Sequence, residues 1–187
     1  MEYSDLDSID FFNALLRSTY RRTATRHDLP VVHGDILAYL SRCNGYSDTV
    51  LAAAEYLGLT KGTVSQSIKL LAERGYLGRV PDEKDRRVQH LVLTEKGLLY
   101  VADLKEDIQA RLEGIEISSA YSRLFKTILG DLARQVQRRQ AKSSAFGTCR
   151  SCRFHRPSDE EVGSCAKTGS LAEADMDKLC RLYSWAD

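Results

Sequence analysis

Apolar residues recur along most of this chain at spacings of three and four, the signature of amphipathic helices. In residues 8–26 the stripe is Ile9, Phe12, Leu16 and Tyr20, with Asp5, Asp7 and Ser8 as cap candidates and Pro30 as the break. Ile36, Leu37 and Leu40 predict a second helix that stops near Asn44-Gly45, and Asp48 to Leu57 a third. Gly58 suits a helix C-cap and Thr60 an N-cap. A fourth helix then covers 61–74, with Val64, Ile68 and Leu71 inward.

The period changes after Gly75. YLGRV and VQHLVLT are β-prone runs on either side of the polar PDEKDRR, which predicts a hairpin tipped by Lys84, Arg86 and Arg87. Helical spacing returns with Val101, Leu104, Ile108, Leu112 and Ile115. It continues from a Ser118 cap through Tyr121, Leu124, Phe125, Ile128, Leu132 and Val136. Two short helices joined by a glycine turn and followed by a basic hairpin form a winged helix-turn-helix. The first and last helices carry more apolar face than so small a unit can cover, which predicts a homodimer built from both chain ends.

The fold class expected is mainly α: a winged helix-turn-helix with long dimerisation helices and a small metal-stapled C-terminal segment. The divisions are 1–30 for an N-terminal dimerisation helix and 31–97 for the DNA-binding domain. C-terminal dimerisation helices take 98–140 and a cysteine-rich tail 141–187.

The string LGLTKGTVSQSIKLLAERGYLGRVPDEKDRRVQHLVLTEKG, from Leu57 to Gly97, resembles the MarR family of bacterial transcription regulators, and the helix order over roughly 8–140 fits. The resemblance implies a regulator, a repressor by expectation, that binds a palindromic operator in double-stranded DNA as a dimer; the location expected for the chain is cytoplasmic. It places helix 61–74 in the major groove and Arg87 of the wing in the minor groove, and it leaves room for a small-molecule effector.

Residue chemistry points the same way. Gln66 can pair with adenine through its amide, and Ser65 and Thr63 can reach bases or phosphates. Lys61, Lys69 and Arg79 suit phosphates, and Arg86 at the hairpin tip is also expected to bind DNA. Arg87 suits a narrow minor groove.

Composition changes the picture only at the C-terminus. The whole chain of 187 residues has a net charge of +1. Yet Arg134 to Arg156 holds seven Arg or Lys and no acid, whereas acids dominate from Pro157 onward. The start, MEYSDLDSIDFF, is not a signal peptide, and no apolar run is long enough to span a membrane. A cytosolic chain keeps its thiols reduced, so clustered cysteines point to metal or redox chemistry.

Four of the five cysteines, Cys149, Cys152, Cys165 and Cys180, are spaced C-x2-C-x12-C-x14-C in the tail. Four thiolates suit a tetrahedral zinc ion, or alternatively an iron–sulfur cluster. A thiol–disulfide switch and four inert thiols are the other readings. His155 is expected beside the ligands or at the surface, and Cys43, His33 and His90 in ordinary structural roles.

Ser170 to Glu173 has capping-box spacing and predicts a helix over 171–183 that carries Cys180 near its end. Such an acidic helix would also fit an adaptor whose tail is a protein docking module. The sequence contains no nucleophile–base–orienter set, phosphate loop or HExxH motif, so an enzyme is not expected.

Overall fold

The structure is a computed structural model describing residues 4–83, 85–114, 118–139, 145–156 and 163–185. Lys84, Ile115 and Val162 lie outside these. The chain forms two compact units. The first comprises 1–41 and 59–113; the second comprises 42–58 and 114–187. Segment 42–58, assigned from sequence to 31–97, thus groups with the tail. No helix among the described residues is long and apolar enough to cross a membrane.

The first unit contains α1 (Asp5–Arg26) and α2 (Val31–Leu40). Ser4, rather than Asp5, Asp7 or Ser8, caps α1: its hydroxyl accepts from the Asp7 N–H while the Asp7 carboxylate accepts from the Ser4 N–H. α2 ends at Leu40, earlier than the sequence suggested, and is buried over most of its surface.

The recognition-type helix, Lys61–Glu73, is here called α4, because α3 (Val50–Leu57) precedes it in the chain. Thr60 caps α4 through its hydroxyl, 3.1 Å from the Thr63 nitrogen. Val64, Ile68 and Leu71 are fully buried, as their spacing predicts. Strands β1 (Leu77–Pro81) and β2 (Gln89–Leu93) pair antiparallel in register Leu77 with Leu93 and Pro81 with Gln89. Thr94 caps the following helix, α5 (Glu95–Leu112).

α1 packs on α2 and α5, α2 on α4 and α5, and α5 on β2. Tyr39 and Tyr100 anchor this core, while the N-terminal half of α1 leaves Ile9, Phe11, Phe12 and Leu15 exposed.

The second unit holds α3, α6 (Ser119–Arg139) and the tail. α3 starts at Val50, later than the predicted Asp48, with Thr49 as its cap, and ends at Gly58, whose φ of 65° is the left-handed conformation a glycine adopts without strain. Tyr121, Leu124, Phe125, Ile128, Leu132 and Val136 of α6 are all exposed.

The tail is not helical where a helix was expected. Glu173–Asp175 makes a single 3-10 turn, and 176–185 runs on without a helix. The local capping signal is overridden because this stretch spends its backbone groups on distant partners. The Cys180 N–H donates to Gly147 O at 2.8 Å, and the Leu179 N–H to Arg42 O at 2.8 Å. A small antiparallel sheet of β3 (His155–Arg156), β4 (Ser164–Cys165) and β5 (Gly169–Ser170) completes the tail.

Candidate nucleic-acid interface and four-cysteine cavity

α4 is amphipathic in the sense the sequence suggests. With Val64, Ile68 and Leu71 buried, the side chains of Lys61, Thr63, Ser65, Gln66 and Lys69 are exposed. Ser65, Gln66 and Lys69 line an open groove together with Arg79 of β1 and with Gly62, Ala72 and Glu73. The first four were singled out from sequence. Gly62, Ala72 and Glu73 were not, because small floor residues and a helix-end acid carry no local signal of a groove.

Lys61 and Thr63 lie nearer the start of α4 and do not line this groove. The Thr63 hydroxyl is 2.9 Å from that of Thr60, so it is partly engaged in the cap. Lys69 stands 3.9 Å from Glu73 one turn on.

The hairpin tip is organised by two aspartates. The Asp85 N–H donates to Asp82 Oδ1 at 2.7 Å, and the Arg87 N–H and Nε donate to Asp85 Oδ1 at 3.1 and 3.0 Å. His90 contacts Asp82 through Nε2 at 3.1 Å. Arg86 is exposed, and 91% of the Arg87 side chain is open to solvent despite its pairing with Asp85. Asp85 therefore presents Arg87 outward rather than neutralising it in a closed pocket.

In the second unit the four tail cysteines come together. Cys149, Cys152, Cys165 and Cys180 line one cavity of about 10 Å³, with His155, Thr168, Leu171, Leu182, Asn44 and Tyr46 completing its wall. Cys43 is buried but is not part of that wall, in keeping with a structural role. Asn44 and Tyr46 lie more than a hundred residues before the first tail cysteine, and nothing local in the sequence marks them.

Backbone pairing holds each thiol in place. The Cys149 N–H donates to Met176 O at 3.0 Å, and the Cys152 N–H closes a turn on Cys149 O at 3.0 Å. Cys165 pairs with His155 across β3 and β4. Cys149, Leu171 and Met176 form a small buried cluster against which Cys165 packs.

Burial, followed by the proximity of Cys180, Cys152 and Cys165, pushes the Cys149 thiol up to about 11. Four thiols so placed cannot all ionise without a positive charge among them. Cys165 differs. Burial raises its thiol, but the Thr168 hydroxyl, the N–H groups of Lys167 and Thr168, and the Lys167 charge together hold it below the ordinary value. The Arg150 side chain is turned to Asp177 at 2.7 Å on the exposed surface.

Two polar atoms in this wall are buried without a hydrogen-bond partner of ordinary geometry, His155 Nε2 and Thr168 Oγ1. The Thr168 hydroxyl stands close enough to Cys165 to favour its thiolate, but it forms no regular bond to the neutral thiol. Gly163 makes room for the imidazole: a Cβ there would fall 2.4 Å from His155 Nε2. Buried polar atoms without a regular partner beside four thiols are compatible with a site that holds thiolates around a cation. As they stand, no three His, Cys, Asp or Glu side chains among the described residues are grouped as an ion's ligands.

Comparison with known proteins places the first part of the chain. Residues 27–88 match the model of the MarR family. The HTH-type transcriptional regulator PetP of Rhodobacter capsulatus is 29% identical over 91 residues, which are 49% of this chain and 54% of that protein. The chain thus spans about half the length of this curated relative.

Among solved structures, Streptococcus pneumoniae FabT in complex with DNA has a TM-score of 0.56 at 26% identity, covering 69% of this chain and 92% of that one. CouR from Rhodococcus jostii RHA1, bound to p-coumaroyl-CoA, has a TM-score of 0.57 at 18% identity with the same coverages, 69% and 92%. The fold is therefore mainly helical and of the winged-helix, MarR-like kind. The family match ends before the four cysteines.

Proposed function

We propose that this protein is a DNA-binding transcriptional regulator, a repressor that reads a palindromic operator as a homodimer, with a four-cysteine metal centre in its tail. The observation that carries the reading is the exposed face of α4. Ser65, Gln66 and Lys69 share a groove with Arg79 while the opposite face is fully buried. Gln66 and Ser65 are the base-reading candidates, and Lys61, Thr63, Lys69, Arg79 and Arg86 the phosphate contacts. Arg87, held outward by Asp85, is the minor-groove candidate. The likeness to FabT, solved with DNA, supports the same use of the fold. CouR, solved with a bound acyl-CoA, makes a small-molecule effector a natural companion reading.

The dimer is supported by the exposed apolar stripes of α1 and α6, which include Ile9, Leu15, Ile128 and Leu132. Stripes of this kind at both chain ends match what a second copy of the same chain would cover.

For the tail, one zinc ion bound by Cys149, Cys152, Cys165 and Cys180 is the reading that the small cavity favours. About 10 Å³ is room for a single water-sized sphere, whereas an iron–sulfur cluster needs the walls to part. Zinc in such a site would staple a segment whose own core is slight.

Selection of duplexes from a randomised pool by the full chain, combined with sedimentation, tests the regulator. A palindromic consensus with half-site centres about 10 base pairs apart and two chains per duplex is expected. A monomer bound to unrelated sequences, with affinity indifferent to salt, overturns it. Metal analysis of anaerobically purified protein tests the centre: one zinc per chain supports it, and brown protein with visible absorption selects the cluster instead.

A further inference from the structure

Cys180 is the one candidate ligand whose neighbours on both sides are built into segment 42–58. The Leu179 N–H donates to Arg42 O at 2.8 Å, and Leu179 O accepts from the Asn44 N–H at 3.0 Å, which aligns Leu179 with Cys43 as a short parallel pair. On the other side the Arg181 N–H donates to Ser47 Oγ at 2.8 Å. The Arg181 guanidinium grips Glu55 of α3 with two bonds, Nε to Oε2 at 2.5 Å and Nη2 to Oε1 at 2.8 Å. Only 28% and 26% of these two side chains is exposed, so solvent screens the pair less than it would a surface pair. Ser47 is fully buried and its hydroxyl is fixed on Asn44 Oδ1 at 2.8 Å, and Asn44 itself walls the cavity. Phe146, from the other arm of the tail, meets Tyr56 of α3 edge to face at 5.2 Å.

α3 needs such support. It has eight residues, and only Ala52, Ala53 and Ala54 are buried. A helix this short is not stable by itself in water. The tail that holds it has a small core of its own, Cys149, Leu171 and Met176.

We propose that metal occupancy of the four-cysteine site controls the order of α3, the first helix of the helix-turn-helix, through the Leu179–Arg181 segment that carries Cys180. The proposal rests on the metal reading above. The metal-loaded chain is the DNA-binding form. Loss of the metal removes the free energy that holds 147–149 and 176–181 together. This segment then releases Arg42, Asn44 and Ser47, and α3 frays. Gly58, Leu59 and Thr60 alone separate α3 from α4, so DNA binding must then re-order this segment, and affinity falls by that cost.

The test uses the full chain loaded with zinc, then stripped by a chelator, then reloaded. The probe is a duplex that the zinc-loaded chain selects from a randomised pool. Stripping should speed amide exchange in 50–57 and weaken duplex binding, each by about tenfold or more, and reloading should reverse both. Arg181→Met removes the grip on Glu55 and touches no thiol. It should keep one zinc per chain while exchange in 50–57 stays fast and the affinity response to zinc shrinks below about threefold. Glu55→Gln should do the same, which separates the effect from a misfolded Arg181 variant, and Arg181→Glu combined with Glu55→Arg should restore part of the response. If zinc binds but stripping leaves both exchange and affinity unchanged, the coupling is wrong and the zinc site stands as a staple. If the chain holds neither zinc nor iron, the metal reading fails and the coupling falls with it.

Discussion

The Thr23 hydroxyl of α1 donates to Asp107 Oδ2 of α5 at 2.5 Å, in the buried interior of the first unit. The same carboxylate accepts from Arg26 at 2.9 Å and faces Arg22 at 3.6 Å. One residue of α5 thus collects three side chains from about one turn of α1, and the neighbouring His27–Asp103 contact at 2.8 Å extends the seam.

Asp107→Ala should destabilise the protein by about 2 kcal/mol, because it removes a buried acceptor from two half-exposed guanidiniums and leaves the Thr23 hydroxyl only its bond to Thr19 O at 3.2 Å. Denaturant unfolding measures it, and an unchanged midpoint would mean that the seam is incidental. The relationship also alters how the dimer is probed. Deleting α1 would remove Thr19, Thr23 and Ala24 from the core, so Phe125→Asp with Ile128→Asp on the exposed face of α6 is the cleaner disruption.

His33 gives a pH prediction. Burial, then the Arg74 charge, hold its imidazole below the ordinary value of 6.5. The folded state therefore favours neutral His33. The stability this contributes is present above 6.5 and is lost as pH falls through the lowered folded value. His33→Gln should flatten the fall in unfolding free energy below about pH 6.5. A variant that keeps the full slope assigns the acid sensitivity elsewhere.

Base-reading and phosphate contacts separate by their signatures. Gln66→Ala should cost about 1–3 kcal/mol on the selected duplex and relax preference at one position per half-site. Lys69→Ala should weaken all duplexes alike and reduce the salt slope by about 1 for each site lost. Competition between selected and random duplexes at several salt concentrations distinguishes the two. Equal losses on both duplexes for Gln66→Ala would remove it from base reading.

Gly163→Ala tests the wall of the thiol cavity without touching a thiol. The new methyl would meet His155 Nε2 and push the imidazole from its place. Metal affinity should fall by about tenfold, the size of effect expected from groups that orient ligands. Competition with a calibrated chelator reads it. Cys43→Ser, by contrast, should leave metal content as it is.

Much of the fold was legible because its signals are local. The three-residue rhythm of Val64, Ile68 and Leu71 with Thr60 before them determined α4 and its exposed polar face. Gly58 and Thr60 set the turn, and the alternation of two β-prone runs set the wing. These elements follow from backbone sterics, capping and burial, which act within a few residues. The spacing of the four cysteines also announced a shared site.

What the sequence could not decide were the partners of Cys180. Ser170 to Glu173 read as a helix start, but the segment around Cys180 shares backbone bonds with Gly147, Arg42 and Asn44 instead. Those pairings join positions up to 137 residues apart, from Arg42 to Leu179, and no local propensity encodes them. Only the tertiary structure placed Asn44 and Tyr46 in the cavity wall and joined α3 to the tail by Glu55 and Arg181. Buried polar groups must find partners wherever the chain's path brings them, and over that span the path is fixed by packing rather than by the residues on either side.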